Sequence, residues 1–133
     1  MTIKSSKTLV DEALEKIETL DPIKVKQLFD QKKCTLIDIR DIREVWNDGA
    51  IEDSVHIPRG MLEFWLDSES PYYQKEKFDD NSKKKILFCA GGLRSALATK
   101  TLQDMGFKNV AHVDGGFGSM KLNGFKIIQK KKD

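Results

Sequence analysis

Seven residues, Lys83-Lys-Lys-Ile-Leu-Phe-Cys89, read as a strand entering from the surface, and only Ala90-Gly-Gly-Leu93 separates them from a helical run, Arg94 to Met105, closed by Gly106. A strand tied this tightly to a helix belongs to a layered α/β unit. Further β-rich runs recur at residues 35–39, 55–57, 110–113 and 125–128, with helical patterns between several of them. That alternation predicts an α/β domain with a central parallel sheet flanked by helices.

Ahead of these elements, residues 6–20 carry Leu9, Ala13, Leu14 and Ile17 at the spacing of one helical face. Asp21 followed by Pro22 reads as an N-cap and first helical position, opening a second short helix through Val25, Leu28 and Phe29. The expected organisation is an N-terminal amphipathic helical extension, residues 1–20, followed by one domain, residues 21–130. Residues 67–84, rich in Ser, Asp, Lys and Tyr with Pro71 inside, read as a surface excursion of that domain.

The chain has 133 residues, the size of one domain. Its 23 basic and 21 acidic residues nearly cancel, so no global field points to nucleic acid as a partner. No apolar run approaches the roughly 20 residues of a membrane span. Asp11 and Glu12 interrupt the N-terminus before a signal-peptide core develops, and the expected location is cytoplasmic. Cys34 and Cys89, far apart and in no Cys-x-x-Cys pair, are expected as reduced thiols. With His56 and His112 they are too few for a zinc site, and no cofactor is expected.

The chemistry concentrates at the loop after the strand 85–89. Gly91 and Gly92 permit backbone conformations that aim several N–H groups at one point, an anion cradle formed by Ala90, Gly91, Gly92, Leu93 and Arg94. Cys89 ends the strand facing that cradle and the positive end of the next helix, surroundings that favour thiolate over thiol. The plain alternative is a small buried hydrophobe. Against it stands Arg94, a cation placed in a first helical turn where the macrodipole disfavours it.

A second cluster, Asp38, Arg40, Asp41 and Arg43, follows the strand 35–39 and shares the carboxyl edge of a parallel sheet with Cys89. Asp38 is expected to hold a neighbouring arginine. Asp41 with Glu44 reads as a capping arrangement without chemistry. Arg59, after Ile57-Pro58, is a candidate to bring a further cation to the Cys89 loop. The apolar stretch Met61 to Leu66 reads as core rather than as a docking patch. Cys34 as a resolving thiol has little support, and His56 and His112 read as hydrogen-bonded structural residues, not as half of a Cys–His dyad.

In order along the chain, Leu36-Ile-Asp-Ile-Arg40, Gly49-x-Ile51 with Ile57-Pro58, Cys89-Ala-Gly-Gly-Leu-Arg94-Ser95 and Val113-Asp-Gly-Gly-Phe117 resemble the rhodanese-like sulfurtransferases, from about residue 21 to 128. The resemblance implies that Cys89 accepts a sulfane sulfur as a persulfide and passes it to a thiol or cyanide. The expected shell is Asp38, Arg40 and Arg59. It implies thiosulfate or a persulfide as donor, and the lack of a second cation within residues 90–93 weighs against thiosulfate. Small sulfur donors and acceptors, with a sulfur-relay protein as a further candidate, are the partners implied. A phosphatase or arsenate reductase of the same fold is the rival enzyme, but phosphatases of this fold carry one more residue between cysteine and arginine, so the Cys-x4-Arg spacing here counts against it. A non-catalytic interaction module, which typically lacks the cysteine, is the other rival.

Overall fold

The structure, a computed structural model, describes residues 2–75 and 83–132. Its central sheet has five parallel strands in the order β1-β6-β5-β2-β4: β1 Glu18–Leu20, β6 Val110–Val113, β5 Lys84–Phe88, β2 Cys34–Asp38 and β4 Val55–His56. Two short strands, β3 Ala50–Ile51 and β7 Ile127–Ile128, form a separate antiparallel pair. The run expected at 125–128 therefore leaves the parallel sheet. Its Ile127 and Ile128 pair instead with Ile51 and Ala50.

The central strands are apolar at successive positions because both faces are covered. Ile37 and Leu87 point to one side, among Ile57, Leu62, Ala98 and Leu102, while Leu36, Ile86 and Phe88 point to the other, among Val25, Val113 and Met120. The period of two along a strand thus divides one hydrophobic run between two cores. Helix α5, Leu93–Met105, serves the first core, and α2, Pro22–Asp30, with α6, Gly116–Leu122, serves the second. Leu62 and Leu66 of α4, Leu62–Leu66, are buried in the first core, as read from the sequence, while Phe64 faces outward.

The helix expected over residues 6–20 is shorter. α1, Ser6–Lys16, stops before Ile17, and Glu18–Leu20 extends as an edge strand paired with Ala111, His112 and Val113. Thr19 and Ile17 are β-branched and suit that exchange. Val10 and Ala13 of α1, with Ile17 just past its end, pack against Ala96 of α5, whereas Leu9 and Leu14 are exposed. Of the excursion expected at 67–84, residues 67–75 lie at the surface or partly so, and residues 76–82 lie outside the described residues.

No helix among the described residues is long and apolar enough to cross a membrane.

Candidate active site

β2, β5 and β6 run parallel, so their carboxyl ends meet at one edge of the sheet, and Cys89 follows directly on β5. Its side chain is 1% exposed. The chain then turns through Gly92, whose φ of +107° is open to glycine at little cost, into α5. This turn aims backbone donors back at the sulfur: Gly92 N–H lies 3.1 Å and Ser95 N–H 3.4 Å from Sγ. Ser95 Oγ lies 3.5 Å away. Burial pushes the thiol up, but the hydrogen bonds from the Ser95 hydroxyl and from the N–H groups of Ser95, Gly92 and Gly91 outweigh it. Cys89 is held below the ordinary thiol range, toward the nucleophilic thiolate.

The loop is locked from behind by the start of α6. Phe117 N–H donates to the Cys89 carbonyl at 2.8 Å and Gly118 N–H to that of Ala90 at 3.3 Å. Such contact between two backbones leaves no room at Gly116, where a Cβ would stand 2.5 Å from the Cys89 carbonyl oxygen. Gly116 is thus part of the site's construction.

Asp38, the last residue of β2, and Arg40 are both buried and form a two-pronged ion pair, with Arg40 Nη2 2.8 Å and Nε 3.0 Å from the carboxylate. Arg40 also donates to the Gly49 carbonyl at 2.8 Å and lies over the Phe117 ring, 4.0 Å from its centroid. The pair therefore links the end of β2, the end of α3 (Ile42–Asp48) and the helix that backs the Cys89 loop.

Arg94 leaves the loop at its mouth, where Glu44 holds it with both oxygens. This Glu44 contact was missed in the sequence. Glu44 does complete the expected capping box with Asp41, and the same carboxylate reaches across 50 residues to the loop. It also accounts for a cation at a helix start: the negative partner offsets the unfavourable macrodipole. The signal available was Arg94 itself, a charge that needed a partner.

Arg59 has partners of its own. Its backbone follows β4 at the same edge, donating to the Ile39 carbonyl. The guanidinium turns instead to Glu63, one helical turn on, and to Thr101, two turns along α5 from Arg94. The carboxylate at i+4 gives the guanidinium a local partner. Cys34 opens β2 opposite Lys84, at the far edge from Cys89, roughly 15 Å away at the rise of a five-residue strand. Burial pushes its thiol up to about 11.

His56 bonds the Arg40 carbonyl at 2.7 Å. His112 is closer to the chemistry than the sequence suggested, with Nδ1 2.8 Å from Ser95 Oγ, the same hydroxyl that meets Cys89. Its partner residue lies 17 positions earlier, on another element.

Comparison with known proteins agrees with this architecture. A rhodanese-like domain model matches residues 21–123. A protein of unknown function from Rhodopseudomonas palustris, described as a possible tyrosine phosphatase, is 46% identical, with a TM-score of 0.87 over 96% of this chain and 98% of that one. The polysulfide-sulfur transferase homodimer of Wolinella succinogenes is 29% identical, with a TM-score of 0.72 over 93% and 87% of the two chains. A tRNA uridine(34) hydroxylase of Photorhabdus laumondii is 30% identical over 108 residues, 74% of this chain and 29% of that protein, so the chain spans under a third of that relative's length. Having the family's match over most of its length and the fold to accompany it, the chain belongs to the rhodanese-like domain family.

Proposed function

We propose that this chain is a sulfurtransferase in which Cys89 carries a sulfane sulfur. The observation behind this reading is the convergence of the Gly92 and Ser95 N–H groups and the Ser95 hydroxyl on one buried sulfur, within a Cys-x4-Arg loop. Donors preorganised around a sulfur stabilise negative charge there without further rearrangement. In the first step the Cys89 thiolate attacks the outer sulfur of a donor. A new S–S bond forms, the donor's own bond to that sulfur breaks, and its electron pair leaves with the donor's remainder, a thiolate from a persulfide or sulfite from thiosulfate. A thiolate or cyanide acceptor then attacks the outer sulfur of the Cys89 persulfide, and the cysteine returns as thiolate.

Residues 90–94 form the cradle in this reading, and Asp38 and Arg40 hold the neighbouring loop. A persulfide is the favoured donor, because Arg94 is already paired with Glu44 and Arg40 with Asp38. The Wolinella relative, named for polysulfide-sulfur transfer, supports the same class of chemistry. A cytoplasmic setting suits the two free thiols.

Intact-mass measurement tests this. Incubated with a small-molecule persulfide, and separately with thiosulfate, the wild type is expected to gain one sulfur atom, released by cyanide, and Cys89→Ser to gain none. No adduct from either donor overturns the reading. The second reading, a phosphatase, draws on the description of the Rhodopseudomonas relative. Hydrolysis of an aryl phosphate that is lost in Cys89→Ser is the result that establishes it; the short loop argues against that outcome.

A further inference from the structure

Three buried side chains stand in a line from the nucleophile to the sheet edge. Cys89 Sγ lies 3.5 Å from Ser95 Oγ, which lies 2.8 Å from His112 Nδ1. The other ring nitrogen, Nε2, lies 3.0 Å from Thr19 Oγ1 on the edge strand β1. Cys89, Ser95 and His112 are all buried, whereas Thr19 is exposed. We propose that His112 is a positioning residue for Cys89, acting through Ser95 by reversing its tautomer as the sulfur gains or loses a proton. The inference rests on the sulfurtransferase reading for its use, though not for its chemistry.

The Ser95 hydroxyl has one proton. When Cys89 is a thiolate, that proton is drawn to sulfur, and Ser95 Oγ must then accept from His112. This requires the imidazole proton on Nδ1, leaving Nε2 to accept from Thr19. When Cys89 is a thiol, its S–H donates to Ser95, Ser95 donates to Nδ1, and Nε2 carries the proton toward Thr19. The two states are joined by a balanced shift. The Cys89 proton passes to Ser95 Oγ, the Ser95 proton to Nδ1, the Nε2 proton to Thr19, and the Thr19 proton to solvent at the exposed edge. The imidazole begins and ends neutral.

The surroundings favour a neutral ring. Burial pushes the His112 pKa down, and the charge of Asp114 opposes this only in part. β5 contributes Leu87 beside His112, α5 contributes Ser95, and β1 contributes Thr19. Arg94, whose charge is coupled to that of Cys89, is held by Glu44. A neutral imidazole of fixed orientation thus decides which way the Ser95 hydroxyl points, and hence how well the thiolate is held as it attacks and as it returns.

The test is ring 15N NMR of the full-length protein across pH, beside the rate of Cys89 alkylation by iodoacetamide. The expected result is a change from the Nε2–H to the Nδ1–H tautomer, with the same midpoint as the alkylation profile. Ser95→Ala is expected to break the correspondence. His112→Phe is expected to slow alkylation at neutral pH about tenfold, the equivalent of one pKa unit. His112→Asn, whose amide can donate from near the Nδ1 position, is expected to stay within about twofold of wild type on that scale. A ring that keeps one tautomer through the Cys89 titration overturns the proposal, and this wild-type measurement decides it even where a variant fails to fold. Failure of persulfide formation with the tautomer change intact would remove the sulfurtransferase reading alone.

Discussion

Glu44 grips Arg94 with both carboxylate oxygens, at 3.0 and 3.1 Å, across the mouth of the Cys89 loop. The loop's cation is thereby neutralised by a residue from another element. Asp38 does the same for Arg40 deeper in the protein. A donor with two negative charges meets an entrance with little net attraction, whereas a persulfide needs mainly the N–H groups that face the sulfur.

Removing the Glu44 charge is therefore expected to change donor preference more than overall competence. In Glu44→Gln the Arg94 guanidinium is freed, and kcat/KM for thiosulfate is expected to rise about threefold to tenfold, or ~0.7–1.4 kcal/mol. The value for a singly charged persulfide is expected to change less, and added salt to erase most of the difference. Equal change for both donors would show that the Glu44–Arg94 pair does not set preference.

The buried Asp38–Arg40 pair is expected to behave asymmetrically. Asp38→Ala leaves the Arg40 charge buried without its carboxylate, and the loss of stability is expected to reach roughly 3–5 kcal/mol. Replacing both, as Asp38→Leu with Arg40→Met, removes the uncompensated charge and is expected to cost less than the single change. Urea unfolding of the two singles and the double gives the coupling directly. Additive losses would mean that the pair contributes no more than its separate packing.

Much of this was legible along the chain because it is local. The strand-loop-helix around Cys89, the caps at Asp21 and Asp41, and the two-sided burial of Leu36-Ile37 each follow from residues within one turn or strand of one another. What escaped depends on contacts between distant elements. Glu44 reads as a cap until the fold carries it to Arg94, and His112 reads as a strand residue until α5 lays Ser95 against it. Arg59, by contrast, takes a local partner, Glu63, one helical turn on. The exchange of the last turn of α1 for β1 is likewise tertiary, since only pairing with β6 satisfies that backbone.

Gly116 and Gly124 separate two costs that are easily confused. Both have positive φ, +60° and +87°, but a Cβ at Gly124 meets nothing within 4 Å, while one at Gly116 strikes the carbonyls of Cys89 and Ala90 at 2.5 and 2.8 Å. Gly124→Ala is expected to cost about 1–2 kcal/mol, the conformational penalty alone. Gly116→Ala must also move the loop and is expected to exceed about 2 kcal/mol and to slow Cys89 alkylation. Thermal melts and alkylation rates on both variants check this; matching behaviour would show that the clash is relieved without touching the site.

Cys34 supplies an alkaline signature independent of catalysis. Burial is the main cause of its raised value, about 11 against an ordinary 9.0, with the Lys83 charge opposing it. Between those values an unfolded chain has released the thiol proton and the folded one still holds it. The unfolded state binds fewer protons there, so stability falls as pH rises from about 9 to 11, and at most roughly 2–3 kcal/mol is lost through this group. Below pH 9 both states are protonated and the slope vanishes. The quantity to measure is the difference between wild type and Cys34→Ala in urea unfolding at successive pH values. The variant is expected to start lower because a buried sulfur has been removed, and to lose less as the pH rises. Parallel curves would show that the folded protein does not hold the Cys34 proton.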